Sequence, residues 1–142
     1  MNLLLAADPS RALIERYLAS GTCFVASKEH EMVGVMVLDI IDAHTLEIKN
    51  ISVEDSHQRQ GIGTALLSHA EQECQRMGCN TLLIATGNSS IGQLALYQKC
   101  GFEMVRIERN FFLERYETPI FEDGIPCKHQ VVLEKRIGEK NR

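Results

Sequence analysis

Short β-branched apolar runs, broken by polar turns, dominate the first third of the chain, and helical spacing appears after them. Residues 2–6 read as a short strand. Asp8-Pro9 then opens a helix to about Ala19, with Asp as N-cap and Pro at the first helical position. That helix would bury Leu13, Ile14, Tyr17 and Leu18, and Gly21 ends it. Thr22 to Ala26 reads as a strand, Lys28-Glu29-His30-Glu31 as a hairpin turn, and Val33 to Ile41 as a second strand. Asp42-Ala43-His44 turns the chain into a strand from Thr45 to Val53. From Gly61 to Met77, Ile62, Leu66, Ala70, Cys74 and Met77 recur at helical spacing on one face, and Gly78 stops the helix. A buried strand at Leu82 to Ala85 follows, then a helix capped by Asn88-Ser89-Ser90 and running through Lys99. Gly101 stops it. Phe102 to Ile107 and Gln130 to Arg136 complete the strands, with a long irregular connection at 110–127 between them. The order β-α-β-β-β-α-β-α-β-β predicts an α+β fold: one mixed central sheet with helices on both faces. Residues 1–137 form a single expected domain, and 138–142 a polar C-terminal tail.

Composition narrows the function classes. The 142 residues are 44% hydrophobic, enough for a core without staples, and carry a net charge of −4. That charge argues against a nucleic-acid partner, which would call for a basic stripe. No apolar run approaches the ~18 residues of a membrane span. The first residues lack the basic region of a signal peptide, so a cytoplasmic location is expected. Five cysteines, an odd number with no C-x-x-C, read as reduced core thiols. Cys127-x-His129 has ligand residue types, but no second pair has matching spacing, and no metal is expected.

The chemistry concentrates where the strand ending at Val53 breaks into a polar loop and Gly61-Ile62-Gly63 opens directly into a helix. Unpaired N–H groups of a helix start converge on one spot, where the helix dipole adds positive charge. Glycine there lets a ligand's oxygens approach the backbone. An anion, best a pyrophosphate, belongs at this helix start. The P-loop lysine is missing, and Leu66 stands where the third glycine of a dinucleotide fingerprint would be.

Val53-x-x-x-x-Gln58-x-x-Gly61-Ile62-Gly63-x-x-Leu66-Leu67 resembles the acetyl-CoA-binding motif of the GCN5-related N-acetyltransferase (GNAT) family. Leu96-Tyr97-Gln98-Lys99-Cys100-Gly101-Phe102 resembles that family's second signature, L-Y-x-K-x-G-F, and Glu47 to Val53 resembles the strand before the loop. The likeness covers about Thr22 to Phe102. Departures include Asp55 for a common proline and Gln58 for the commoner arginine, while Ser90 and Gln93 stand where Asn and Ala are frequent.

The resemblance implies acetyl-CoA as cosubstrate and direct acetyl transfer to a primary amine of a small molecule or peptide. It implies that the loop Gln58, Arg59, Gln60, Gly61, Ile62, Gly63 and Thr64 holds the pyrophosphate, and that the strand end Ile51, Ser52 and Val53 pairs with the pantetheine arm. Asn88 would supply an amide contact and Lys99 a phosphate contact. Glu47 becomes the candidate general base and Tyr97 the candidate general acid for the leaving thiolate. Packing alone also accounts for Tyr97, and a surface pair with Lys49 for Glu47. The 110–127 connection suits either an amine acceptor or a partner subunit. Exposed sheet edges leave a homodimer open. A non-catalytic acyl-CoA sensor is the competing reading, since it too needs the cradle.

Overall fold

The computed structural model describes residues 21–54, 56, 58 and 60–138. The expected strand at 2–6, the helix at 8–19 and most of the 138–142 tail lie outside the described residues. The chain falls into two compact units, residues 1–82 with 136–142, and residues 83–135. Within the first unit the hydrogen-bonded strand order is β1 (Thr22–Lys28), β2 (Glu31–Asp42), β3 (Thr45–Val53); within the second it is β4 (Thr81–Gly87), β8 (Gln130–Arg136), β5 (Glu103–Glu108), with β6 (Phe121–Glu122) and β7 (Ile125–Pro126) as a separate two-stranded ribbon.

In the first unit, β1 (Thr22–Lys28), β2 (Glu31–Asp42) and β3 (Thr45–Val53) form an antiparallel meander. Glu29 and His30 both have positive φ (53° and 70°), the conformation a tight two-residue hairpin demands. Val33 to Leu38 are buried without alternation, because β2 is paired on both edges and covered on both faces. In β3 the alternation is visible: Leu46, Ile48 and Asn50 are buried, whereas Glu47, Lys49 and Ile51 are half-buried. Asn50 opposes Val37 and Ile48 opposes Leu38, so Lys49 is an extra residue that bulges the strand.

Helix α1 (Ile62–Arg76) buries Leu66, Leu67, Ala70 and Cys74. Gly34 of β2 lets it approach: an added Cβ would lie 3.1 Å from Ile62 Cγ2 and 3.2 Å from Leu66 Cδ1. Its end is a Schellman motif, with Cys79 N–H donating to Cys74 O (2.9 Å), Gly78 N–H to Gln75 O (3.1 Å), and Gly78 at φ 78°. Met77 is 37% exposed rather than part of the apolar face, because it is the cap where the chain leaves the helix. After α1 the chain enters β4 (Thr81–Gly87), where the first unit gives way to the second.

The second unit continues from β4 into α2 (Ile91–Lys99), β5 (Glu103–Glu108), α3 (Phe111–Arg115), β6 (Phe121–Glu122), β7 (Ile125–Pro126) and β8 (Gln130–Arg136). The expectation of an irregular 110–127 connection is corrected here: it holds a helical turn and a hairpin. Asp123 (φ 52°) and Gly124 (φ 77°) make the turn, and the distant contacts described below hold it. The core-thiol reading is corrected in one place. Cys74, Cys79 and Cys127 are buried and Cys100 is half-buried, but Cys23 is exposed, because β1 buries no residue fully. Among the described residues, no helix is long and apolar enough to cross a membrane.

Candidate active site

The first unit carries the cradle. Glu54 N–H donates to Val33 O (2.8 Å), which carries the β2–β3 ladder just past the last residue of β3. Beyond it, Gln58 folds back and donates Nε2–H to Val53 O (3.3 Å), tying the loop to the strand end. Gly61 is the N-cap of α1 at φ 80° and ψ 6°, a left-handed conformation that side chains other than glycine's strain to adopt. Among the described residues nothing lies within 4 Å of where its Cβ would be, so the space in front of it is open to them. Gly61 has no side chain to cap this helix, and no acid stands in its first turn. A helix start of this kind presents N–H groups and the positive end of the dipole, which suit an anion.

Ile62 and Gly63 are half-buried, while Gln60 and Thr64 are exposed. Arg59, with Asp55 and His57, lies outside the described residues. One residue that local sequence does not reveal also reaches this loop. Lys28, at the end of β1, donates Nζ–H to Gln60 Oε1 (3.1 Å). Thirty-two positions separate the two, and the lysine itself reads as an ordinary turn residue.

Glu47 and Lys49 form an ion pair, Nζ to Oε1 at 3.0 Å, with side chains 22% and 30% exposed. Asp39 stands opposite Glu47 on β2. The carboxylate thus sits on the less buried face of β3, the strand that leads to the cradle, with a cation beside it.

The second unit carries Asn88, Tyr97 and Lys99. Tyr97 is 4% exposed, its ring tilted at 6.2 Å from that of Phe102. Burial pushes its phenol well above the usual tyrosine range, so the group stays protonated at neutral pH. Phe102 N–H donates to Tyr97 O (3.0 Å), and Gly101 (φ 95°) makes the turn between them. This is why the Tyr-to-Phe spacing of the second signature includes a glycine. Lys99 is exposed at the end of α2. The residue that serves the helix terminus is Lys135, donating to Cys100 O at 2.7 Å.

Asn88 is engaged by its own unit. Its Oδ1 accepts from Lys128 N–H (2.8 Å) and His129 N–H (2.9 Å), its Nδ2–H donates to Pro126 O (3.1 Å), and its N–H donates to His129 O (2.9 Å). Ser89 and Ser90 hydroxyls both donate to Glu122 Oε1 at 2.8 Å. Ser90 is the N-cap residue of α2, yet its hydroxyl serves the hairpin and makes no cap bond. Gly87 completes the clasp: an added Cβ would lie 2.5 Å from Cys127 Sγ. A cavity of about 110 Å³ opens beside this anchor, lined by Phe112, Tyr116, Glu117, Pro119, Ile120 and Cys127 among others. Among the described residues, no group of three His, Cys, Asp or Glu side chains is placed to hold a metal.

With this geometry in view, comparison with known proteins is informative. Residues 5–102 match the profile of the acetyltransferase (GNAT) family. The chain is 46% identical over 132 residues to the N-acetyltransferase YvbK of Bacillus subtilis, covering 93% of this chain and 85% of that protein. It is 34% identical over 99 residues to the ribosomal protein bS18-alanine N-acetyltransferase of Escherichia coli, covering 69% and 63%. A GNAT-family acetyltransferase of Elizabethkingia anophelis, solved with acetyl-CoA bound, superposes with a TM-score of 0.94 at 45% identity, covering 96% of this chain and 89% of that one.

Proposed function

Because the chain belongs to the GNAT family of acetyltransferases, we propose that it binds acetyl-CoA and passes the acetyl group directly to a primary amine of a small molecule or peptide. The observation that carries this reading is the start of α1 at a left-handed Gly61, with no acid in its first turn and downstream of β3. The Elizabethkingia relative that holds acetyl-CoA supports it.

Each residue has a task in this reading. Backbone N–H groups of Arg59 to Gly63, with Gln58, Gln60 and Thr64 around them, hold the pyrophosphate, and Lys28 adds a cation that Gln60 already engages. Ile51, Ser52 and Val53 pair with the pantetheine arm through their backbone. Gln58 then exchanges its bond to Val53 O for the incoming chain. Lys99 contacts phosphate from the surface. Asn88 acts indirectly, by fixing the backbone at 126–129.

Acetyl-CoA supplies the activated thioester. The chain must then remove one proton from the acceptor ammonium, so that the neutral nitrogen can form the C–N bond, and pass a second from that nitrogen to the sulfur as the C–S bond breaks. Glu47 takes the first proton. Lys49 beside it holds the carboxylate in place until an ammonium competes for it. Tyr97 gives its O–H to the sulfur as the C–S bond breaks and takes back the proton that the new amide nitrogen loses. Burial keeps the phenol protonated at the pH of the reaction, and because the same burial disfavours the phenolate, Tyr97 acts first as a hydrogen-bond donor to the developing thiolate. N–H groups at the β3 end stabilise the oxyanion.

Release of CoA thiol from acetyl-CoA, measured across a panel of primary amines, tests the proposal. Amine-dependent release with the acetylated amine found by mass is expected. Acetyl-CoA binding with no amine-dependent release on any panel member would favour the sensor reading.

A further inference from the structure

We propose that two copies of this chain pair edge to edge through β5, antiparallel, in a register centred on Ile107. This is independent of the acetyl-transfer reading. β5 ends the strand order, with β8 as its one neighbour among the described residues. Five of its six residues are exposed, so neither face is covered. Met104, Val105 and Ile107 are 56%, 46% and 62% exposed. An open strand edge bearing large apolar side chains is a template for another strand.

The strand's irregularity and its charges choose the partner and the register. Met104 opposes Leu133 and Arg106 opposes Val132, so Val105 is an extra, bulged residue. The regular part of the edge is therefore Arg106 to Glu108. Arg106 and Glu108 share a face, with Nη2 to Oε1 at 3.2 Å, and Ile107 points the other way. An antiparallel second copy centred on Ile107 sets each Arg106 opposite the other copy's Glu108, giving two ion pairs, and Ile107 opposite itself. Centring the pair on Arg106 would set that cation against its own copy. Centring it between Val105 and Arg106 would set Glu103 against Glu108. Like charges directly opposite disfavour both alternatives. The favoured contact is self-complementary and two-fold, so it closes at two copies and covers the edge.

Sedimentation velocity on the full chain over a micromolar concentration series tests this. The wild type should approach twice the 16.0 kDa chain mass as concentration rises. Arg106→Glu turns both cross-strand attractions into repulsions and should raise the dissociation constant about tenfold or more. The charge swap Arg106→Glu/Glu108→Arg should restore it, and Ile107→Lys should leave a monomer. Arg106 and Ile107 are exposed and Glu108 is half-buried, and thermal melts check that each variant folds. A wild type that stays monomeric across the series overturns the proposal. So does an unchanged dissociation constant in Arg106→Glu or Ile107→Lys, or a charge swap that fails to restore pairing.

Discussion

Gly87→Ala isolates the clasp that holds the 121–126 hairpin against the end of β4. The new Cβ would fall 2.5 Å from Cys127 Sγ, against roughly 3.5–4.0 Å for an ordinary non-bonded contact. Something must therefore move by more than about 1 Å. Little can. Cys127 is 5% exposed, and its N–H donates to Ile120 O at 2.8 Å. Phe112 Cε2 and Ser90 Oγ stand 3.5 and 3.6 Å from the same point. Overpacking of this kind costs about 1–3 kcal/mol. For a chain of this size each kcal/mol lowers the melting temperature by about 2–5 °C. The double-mutant cycle with Cys127→Ala is the sharp assay, read by denaturant melts. Cys127→Ala alone loses a small buried group, about 1 kcal/mol. In the double variant the clash has no sulfur to meet, so it should be no less stable than Cys127→Ala. A coupling of about 1–3 kcal/mol results. Additive losses, or a neutral Gly87→Ala, would refute the packing argument.

Other outcomes follow from single groups. Tyr97→Phe keeps the buried ring and removes the hydroxyl, so turnover should fall about 10²-fold with acetyl-CoA affinity nearly unchanged; a loss under about threefold with chemistry rate-limiting would make Tyr97 packing only. Glu47→Gln should shift the rising limb of the pH–rate profile upward, toward the free amine's own pKa, whereas an unchanged profile with a raised KM would make Glu47 a binding residue. Alkaline stability should report Cys74: burial, with Cys79 beside it, pushes its thiol from 9.0 up to about 11. The unfolded thiol ionises first, so its contribution to stability is whole below 9.0 and is lost as pH rises toward 11. The stability difference between wild type and Cys74→Ala should shrink across that window, as read by denaturant melts at stepped pH. A difference independent of pH would show that Cys74 ionises alike in both states.

Much of the site was legible because its signals are local. Alternation marked β3 to its end at Val53, and helical spacing marked α1 within a residue of each terminus. Gly61 announced a backbone conformation that the structure displays at φ 80°. What local reading missed depends on distant partners. Asn88 reads as a helix-capping or ligand-binding amide, yet its partners lie 38 to 41 positions away. Glu122 reads as one more acid in an irregular stretch, and only Ser89 and Ser90 reveal that it anchors a hairpin. Lys28 and Gln60 likewise meet only through tertiary structure. Cys23 stands in an apolar run like a core residue, but whether a strand face is covered is decided elsewhere in the chain.

The cradle is the claim on which the rest depends, and the thermal shift of the full chain with acetyl-CoA tests it most directly. Ligand at about 100 times its dissociation constant should add roughly 2.7 kcal/mol of stability. Gly61→Val should abolish the shift, since a branched side chain resists the left-handed backbone and fills the open space in front of it. A wild-type protein that folds but shows no shift at millimolar acetyl-CoA would contradict the account. So would a Gly61→Val variant that shifts as much as the wild type.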